Sequence, residues 1–200
     1  MVRSQAAKSG EINVTALGSP RDEARLIRRV VRGERGAFEE LYRFYHPRLT
    51  RFLSNLLRKP ELVEEVLNDT LMVVWRNPES YSGMSKLSTW IFAIAYRKAS
   101  RARSRWDDPM EDNDADSRPS NEAGPEQHLE QRQVQKVLLK AMAGLSADHR
   151  TVVDLTYFHE MGHREIAEIM GCPVDTVKTR VFHARRHLKN ALAGSLTDWL

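Results

Sequence analysis

An all-α fold, two small helical domains joined by a flexible acidic linker, is what this sequence predicts. Three observations carry that expectation. Apolar residues recur at helical spacing through residues 21–105 and again through 129–197, with no convincing strand alternation between them. Residues 106–128 break the pattern: from Trp106 to Glu130 there are nine acidic residues and one basic residue, Arg118. So few apolar groups cannot offset the entropy of ordering, which makes this stretch a linker. Finally, the C-terminal part pairs a short helix and a long basic helix across a glycine turn, a helix-turn-helix pattern.

The elements follow in order. Residues 1–20 are polar, mixed and aperiodic, so a disordered tail is expected there. Leu26, Ile27, Val30 and Val31 mark a first helix, stopped at Gly33. In "AFEELYRFYHPRLTRFLSNLL" one apolar stripe is formed by Phe38, Leu41, Tyr42, Tyr45, Leu49, Phe52, Leu53 and Leu56. "ELVEEVLNDTLMVVW" is a third helix, closed by "RNPES". The loop "YSGMSKLS" leads into "TWIFAIAYRKASRARSR", apolar at its start and basic at its end. After the linker, helices resume at "HLEQRQVQKVLLKAMAGL", and Ser146 is placed to cap "ADHRTVVDLTYFHE". "HREIAEIM" is a short helix, "GCP" a turn, and a long basic helix starts near Val174.

Composition narrows the class. Charged residues make up 29% of the 200, and mean hydropathy is −0.54. No window approaches the roughly 18 unbroken apolar residues of a membrane span, and the N-terminus has no apolar core of signal-peptide length. The single cysteine, Cys172, cannot form an internal disulfide and fits a reducing cytoplasm. Net charge is only +4, so the distribution says more than the total. From Thr176 to Thr197 there is no acid, while Lys178, Arg180, Arg185, Arg186 and Lys189 are basic: a basic working surface, set apart from an acidic connector.

In the helix-turn-helix pattern, Ile166, Ala167 and Met170 face inward from the first helix, and Val177, Val181, Ala184 and Leu188 from the second. Lys178, Thr179, Phe182, His183 and Arg186 are left pointing out. In such motifs the N-terminal part of the second helix enters the major groove. Lys178 and His183 can donate to guanine acceptors and Phe182 can pack on a thymine methyl. Thr176, Arg180 and Arg185 suit phosphate contacts, which set affinity rather than sequence choice.

One spacing points elsewhere. His159, Glu160 and His163 read H-E-x-x-H, the arrangement by which zinc peptidases bring two imidazoles to one metal. A peptidase needs both histidines on one continuous helix, and Gly162 breaks the run between them. No third ligand is suggested. There is also no phosphate-cradling glycine loop and no paired nucleophile and base, so neither catalysis nor a metal or other cofactor is expected.

"LSADHRTVVDLTYFHEMGHREIAEIMGCPVDTVKTRVFHARRHLKNAL" resembles the C-terminal DNA-binding domain of bacterial sigma factors of the extracytoplasmic-function group, within the sigma-70 family. "AFEELYRFYHPRL", "EEVLNDT", Trp75 and "STWIFAIAYRKASRARSR" resemble the promoter-melting domain of the same group. The resemblance implies region 2 over 21–105, docking on core polymerase and opening the −10 element, and region 4 over 129–197, reading the −35 element. The outward face of the last helix (Thr176, Lys178, Thr179, Arg180, Phe182, His183, Arg185 and Arg186) would then contact −35. Tyr81, Ser85 and Lys86 would capture a flipped −10 base, with Arg97, Lys98 and Arg101 tracking the backbone. Glu65, Asn68 and Asp69 would dock on the β′ clamp helices, and region 4 on the β flap; Asn68 stands where many members carry glutamine. A restraining anti-sigma factor is a further implied partner. The rival reading, a free-standing helix-turn-helix regulator, has no need of the docking and melting helices.

Overall fold

The computed structural model describes residues 20–57, 59–106 and 137–197, and all regular structure among them is helical. The expected tail, the linker from Asp107 onward and the start of region 4 lie outside the described residues. Helix α1 spans Pro20–Val31, α2 Arg35–Leu56, α3 Pro60–Arg76 and α4 Leu87–Trp106, with a 3₁₀ turn at Pro78–Ser80. Residues 137–143 are helical, followed by α5 (Ala147–Tyr157), α6 (His163–Met170) and α7 (Val174–Thr197).

Local chemistry sets these bounds. Asp22 and Glu23 occupy the first turn of α1 and Arg28 and Arg29 the last, each sign opposite to the helix-end charge it meets. Pro60 opens α3, where its missing N–H is not needed. The Ser146 hydroxyl accepts from the His149 N–H at 3.3 Å, the cap read from the sequence. Helix α6 closes on Gly171, whose φ of +63° is left-handed and whose N–H reaches the Ala167 carbonyl. A side chain in that conformation costs about 1–2 kcal/mol. Gly171→Ala should therefore lower unfolding free energy by about that amount, measured by urea denaturation.

The helical stripes bury largely as expected. Ala37, Leu41, Tyr45, Leu49, Phe52, Leu53 and Leu56 of α2 meet Val66, Leu67, Leu71 and Val74 of α3, and Ile91, Phe92 and Ala95 of α4. Two expected core residues lie outside. Val31 is 50% exposed, because α1 ends there and the chain turns away at Gly33. Tyr42 is 37% exposed and stacks at the surface between Phe38 and His46 instead of entering the core.

The two sequence units are not separate in space. Helix α4 packs on α6 and α2 on α5, so Val152, Leu155, Met161, Ile166, Ile169, Val177 and Val181 join the same apolar cluster as α1–α4. Leu145, Val153 and Ala184 form a second, smaller cluster under α7.

Candidate nucleic-acid interface

Helix α7 presents two faces. Val177 and Ala184 are fully buried and Val181 nearly so, while Lys178, Thr179, Phe182, His183, Arg185 and Arg186 are exposed. Phe182 is 62% exposed, a large apolar side chain that meets the neighbouring His183 ring edge-to-face at 5.5 Å. Helix α7 begins at Val174, as expected, and the Pro173 carbonyl accepts from the Thr176 and Val177 N–H groups. Lys178 bonds Asp175 at 2.9 Å, and this hydrogen bond and charge hold the Asp175 carboxyl below its ordinary pKa. The His149 and His183 rings lie 6.5 Å apart. Burial, reinforced by the charges of His183 and Arg180, pushes the His149 imidazole below its ordinary pKa.

Two members of the expected −35 set turn partly inward. Arg180 is half-buried, ion-paired to Asp148 of α5, and its guanidinium lies 3.7 Å from the Cys172 sulfur. It ties α7 to α5 as the chain stands. Thr176 is also half-buried.

In the second expected site, the Tyr81 hydroxyl donates to the Ser85 carbonyl at 2.6 Å, and the Tyr81 and Trp90 rings stack at 5.4 Å. That bond closes the 81–86 loop and leaves Met84, 93% exposed, at its tip. Lys86 is exposed but engaged: its ammonium pairs with Glu165 of α6 at 3.1 Å. Glu165 also accepts from Thr89 at 3.2 Å and from the Gly162 N–H at 3.0 Å. Burial alone would raise the Glu165 pKa, but the Gly162 N–H and Lys86 outweigh it and hold the carboxyl below its ordinary value. Arg97 and Arg101 are exposed one turn apart on α4.

Glu65, Asn68 and Asp69 share the exposed face of α3, opposite buried Val66, Leu67 and Val74. Asp69 pairs with Lys98 at 2.8 Å, so a residue expected to dock and a residue expected to hold phosphate meet in one ion pair. Met72, 46% exposed, extends that face by one turn. Sequence reasoning missed Met72, Met84, Asp148 and Glu165. Only Glu165 had a visible signal, since a glutamate three residues after Gly162 sits where it can cap a helix start.

The H-E-x-x-H spacing falls across a helix break. Helix α5 ends at Tyr157, Glu160 has φ +53° and α6 starts at His163. His159 is buried and His163 exposed, and among the described residues no three His, Cys, Asp or Glu side chains gather at metal-binding distance.

Residues 41–107 match the family model of sigma-70 region 2 and residues 135–188 that of sigma-70 region 4. The ECF RNA polymerase sigma-E factor of Haemophilus influenzae is 27% identical over 178 residues, covering 84% of this chain and 93% of that protein. The RNA polymerase sigma-H factor of Pseudomonas aeruginosa is 26% identical over 186 residues, covering 88% and 96%. Among solved structures, the sigma factor RpoE of Bartonella quintana, crystallised with the anti-sigma factor NepR, superposes with a TM-score of 0.64 at 26% identity. That match covers 78% of this chain and 96% of that one. With regions 2 and 4 in order and matched relatives covered almost end to end, the chain belongs to the extracytoplasmic-function group of the sigma-70 family.

Proposed function

We propose specific roles for the surfaces described above, within the chain's function as an alternative sigma factor that directs core RNA polymerase to promoters. Helix α7 reads the −35 element. Lys178 and His183 contact base edges, Phe182 packs against a thymine methyl, and Thr176, Thr179, Arg185 and Arg186 meet the backbone. Arg180 reaches phosphate only by giving up Asp148. Tyr81, Ser85 and Lys86 take the extruded −10 base, with Met84 supplying an apolar wall beside it. Arg97, Lys98 and Arg101 follow the phosphates. Glu65, Asn68 and Asp69 dock on the β′ clamp helices and region 4 on the β flap.

The observation that carries this reading is the two-faced α7: an inner row of Val177, Val181 and Ala184, and an outer row of cations around an exposed Phe182. The chain works without catalysing a reaction of its own, since bond formation belongs to the polymerase. Its place of action is the cytoplasm, and no described helix is long and apolar enough to cross a membrane. An anti-sigma factor is a further partner, as the complex of the Bartonella quintana relative suggests.

The test is promoter binding by holoenzymes carrying the parent chain, His183→Arg or His183→Ala, across single-base variants of the −35 site. Arginine offers a fixed two-pronged donor where neutral histidine offers one donor and one acceptor. Each variant should change discrimination by about 1–3 kcal/mol at one base pair and little elsewhere. Parent-like preferences at every position would remove His183 as a reader.

A further inference from the structure

We infer that His149, on α5, positions His183 for reading the −35 element, holding its ring from the side opposite Phe182. This role rests on the assignment of His183 to −35 and adds a residue from outside the recognition helix.

The start of α5 and the turn before it meet one edge of α7 at three successive levels. Asp148 pairs with Arg180. The His149 ring meets that of His183 at 6.5 Å, inclined by 64°. The His187 ring lies against the Gly144 backbone, so close that a Cβ there would stand 3.0 Å from His187 Nε2. Arg180, His183 and His187 are spaced three and four apart, which places them along one edge of the helix. Beneath that edge Leu145 and Val153 pack on Ala184 and fix the distance between the two helices.

His149 is itself held. The Ser146 hydroxyl accepts from the His149 backbone N–H at 3.3 Å and stands 2.9 Å from Nδ1 of the same residue. One side chain therefore caps α5 and anchors the imidazole. Burial, with the charges of His183 and Arg180 nearby, favours the neutral form of His149. The two imidazoles can then lie together without like-charge repulsion.

The consequence falls on His183. Successive residues of a helix project about 100° apart, so Phe182 and Ala184 flank His183 on opposite sides. Phe182 meets the His183 ring at 5.5 Å and 74°, and His149 approaches from the Ala184 side, where α5 packs. Both separations fall in the range of about 4.5–7 Å over which rings attract edge-on. An exposed side chain held between two rings has less freedom to lose when it enters the groove. Orientation also decides what it reads, because neutral histidine offers one donor and one acceptor in fixed directions.

The test is promoter binding by holoenzymes carrying His149→Ala or His149→Phe, alone and combined with His183→Ala, across single-base variants of the −35 site. His149→Ala should lower the preference at the base pair read by His183 about fivefold, in the lower part of the range for residues in contact. Preferences at other positions should stay as in the parent. Phenylalanine fills the same space with a ring and should keep the parent's preference. In a His183→Ala chain, His149→Ala should change no preference further. Parent-like preference in His149→Ala overturns the proposal, and so does an affinity loss spread evenly over all sites. A phenylalanine that restores nothing overturns it too, as does an equal loss when His183 is already alanine. Failure of the −35 assignment looks different: His183→Ala alone would leave every base preference unchanged.

Discussion

Changing Glu65 and Asp69 together to lysine should abolish binding to core RNA polymerase and leave the chain folded. Both side chains are exposed on α3, and neither contributes to the packing of Val66, Leu67, Leu71 and Val74 beneath them. The double reversal changes the charge of that face by four, and like charges set against a docking surface cost several kcal/mol. Asp69→Lys also turns the 2.8 Å pair with Lys98 into a repulsion. Lys98 can swing into solvent, so this local cost stays small beside the loss of docking. Gel filtration with core polymerase reads the outcome, with circular dichroism as the fold control. A variant that co-elutes as the parent does would mean the polymerase docks elsewhere.

The largest effect on stability should come from Phe52→Ala. Phe52 is fully buried, packs on Phe92 at 5.1 Å and forms one wall around His159. Truncating such a ring removes its transfer free energy and leaves a cavity, together about 3–5 kcal/mol. A typical domain has only about 5–15 kcal/mol in total, so the variant should unfold at much lower urea. A loss under about 1 kcal/mol would mean that the site collapses around the missing ring, against the rigid packing described.

The helices were legible because each carries its own period and punctuation. Ser146, Gly171 and the Val177–Val181–Ala184 row each act within a few residues along the chain, and all stand where pattern reading puts them. The break between His159 and His163 was legible on the same grounds. Facts that depend on distant pairs were not. Asn55 and Asp154 are 99 positions apart, and nothing in either stretch marks the other as its partner. Arg180 reads as an outward cation until Asp148 is found beside it. Tyr42 fits the α2 stripe by spacing, yet that edge of the helix faces solvent. Periodicity identifies the apolar face of a helix, but the edge of that face is decided by what lies against it.

The central claim is tested most directly by reconstitution. Core RNA polymerase with and without this chain transcribes a pool of genomic promoter fragments, and the 5′ ends of the transcripts are mapped. The chain should co-purify with core polymerase, and starts dependent on it should share one −35 and one −10 motif at fixed spacing. Identical transcripts with and without the chain, and no chain retained by the polymerase, would contradict it.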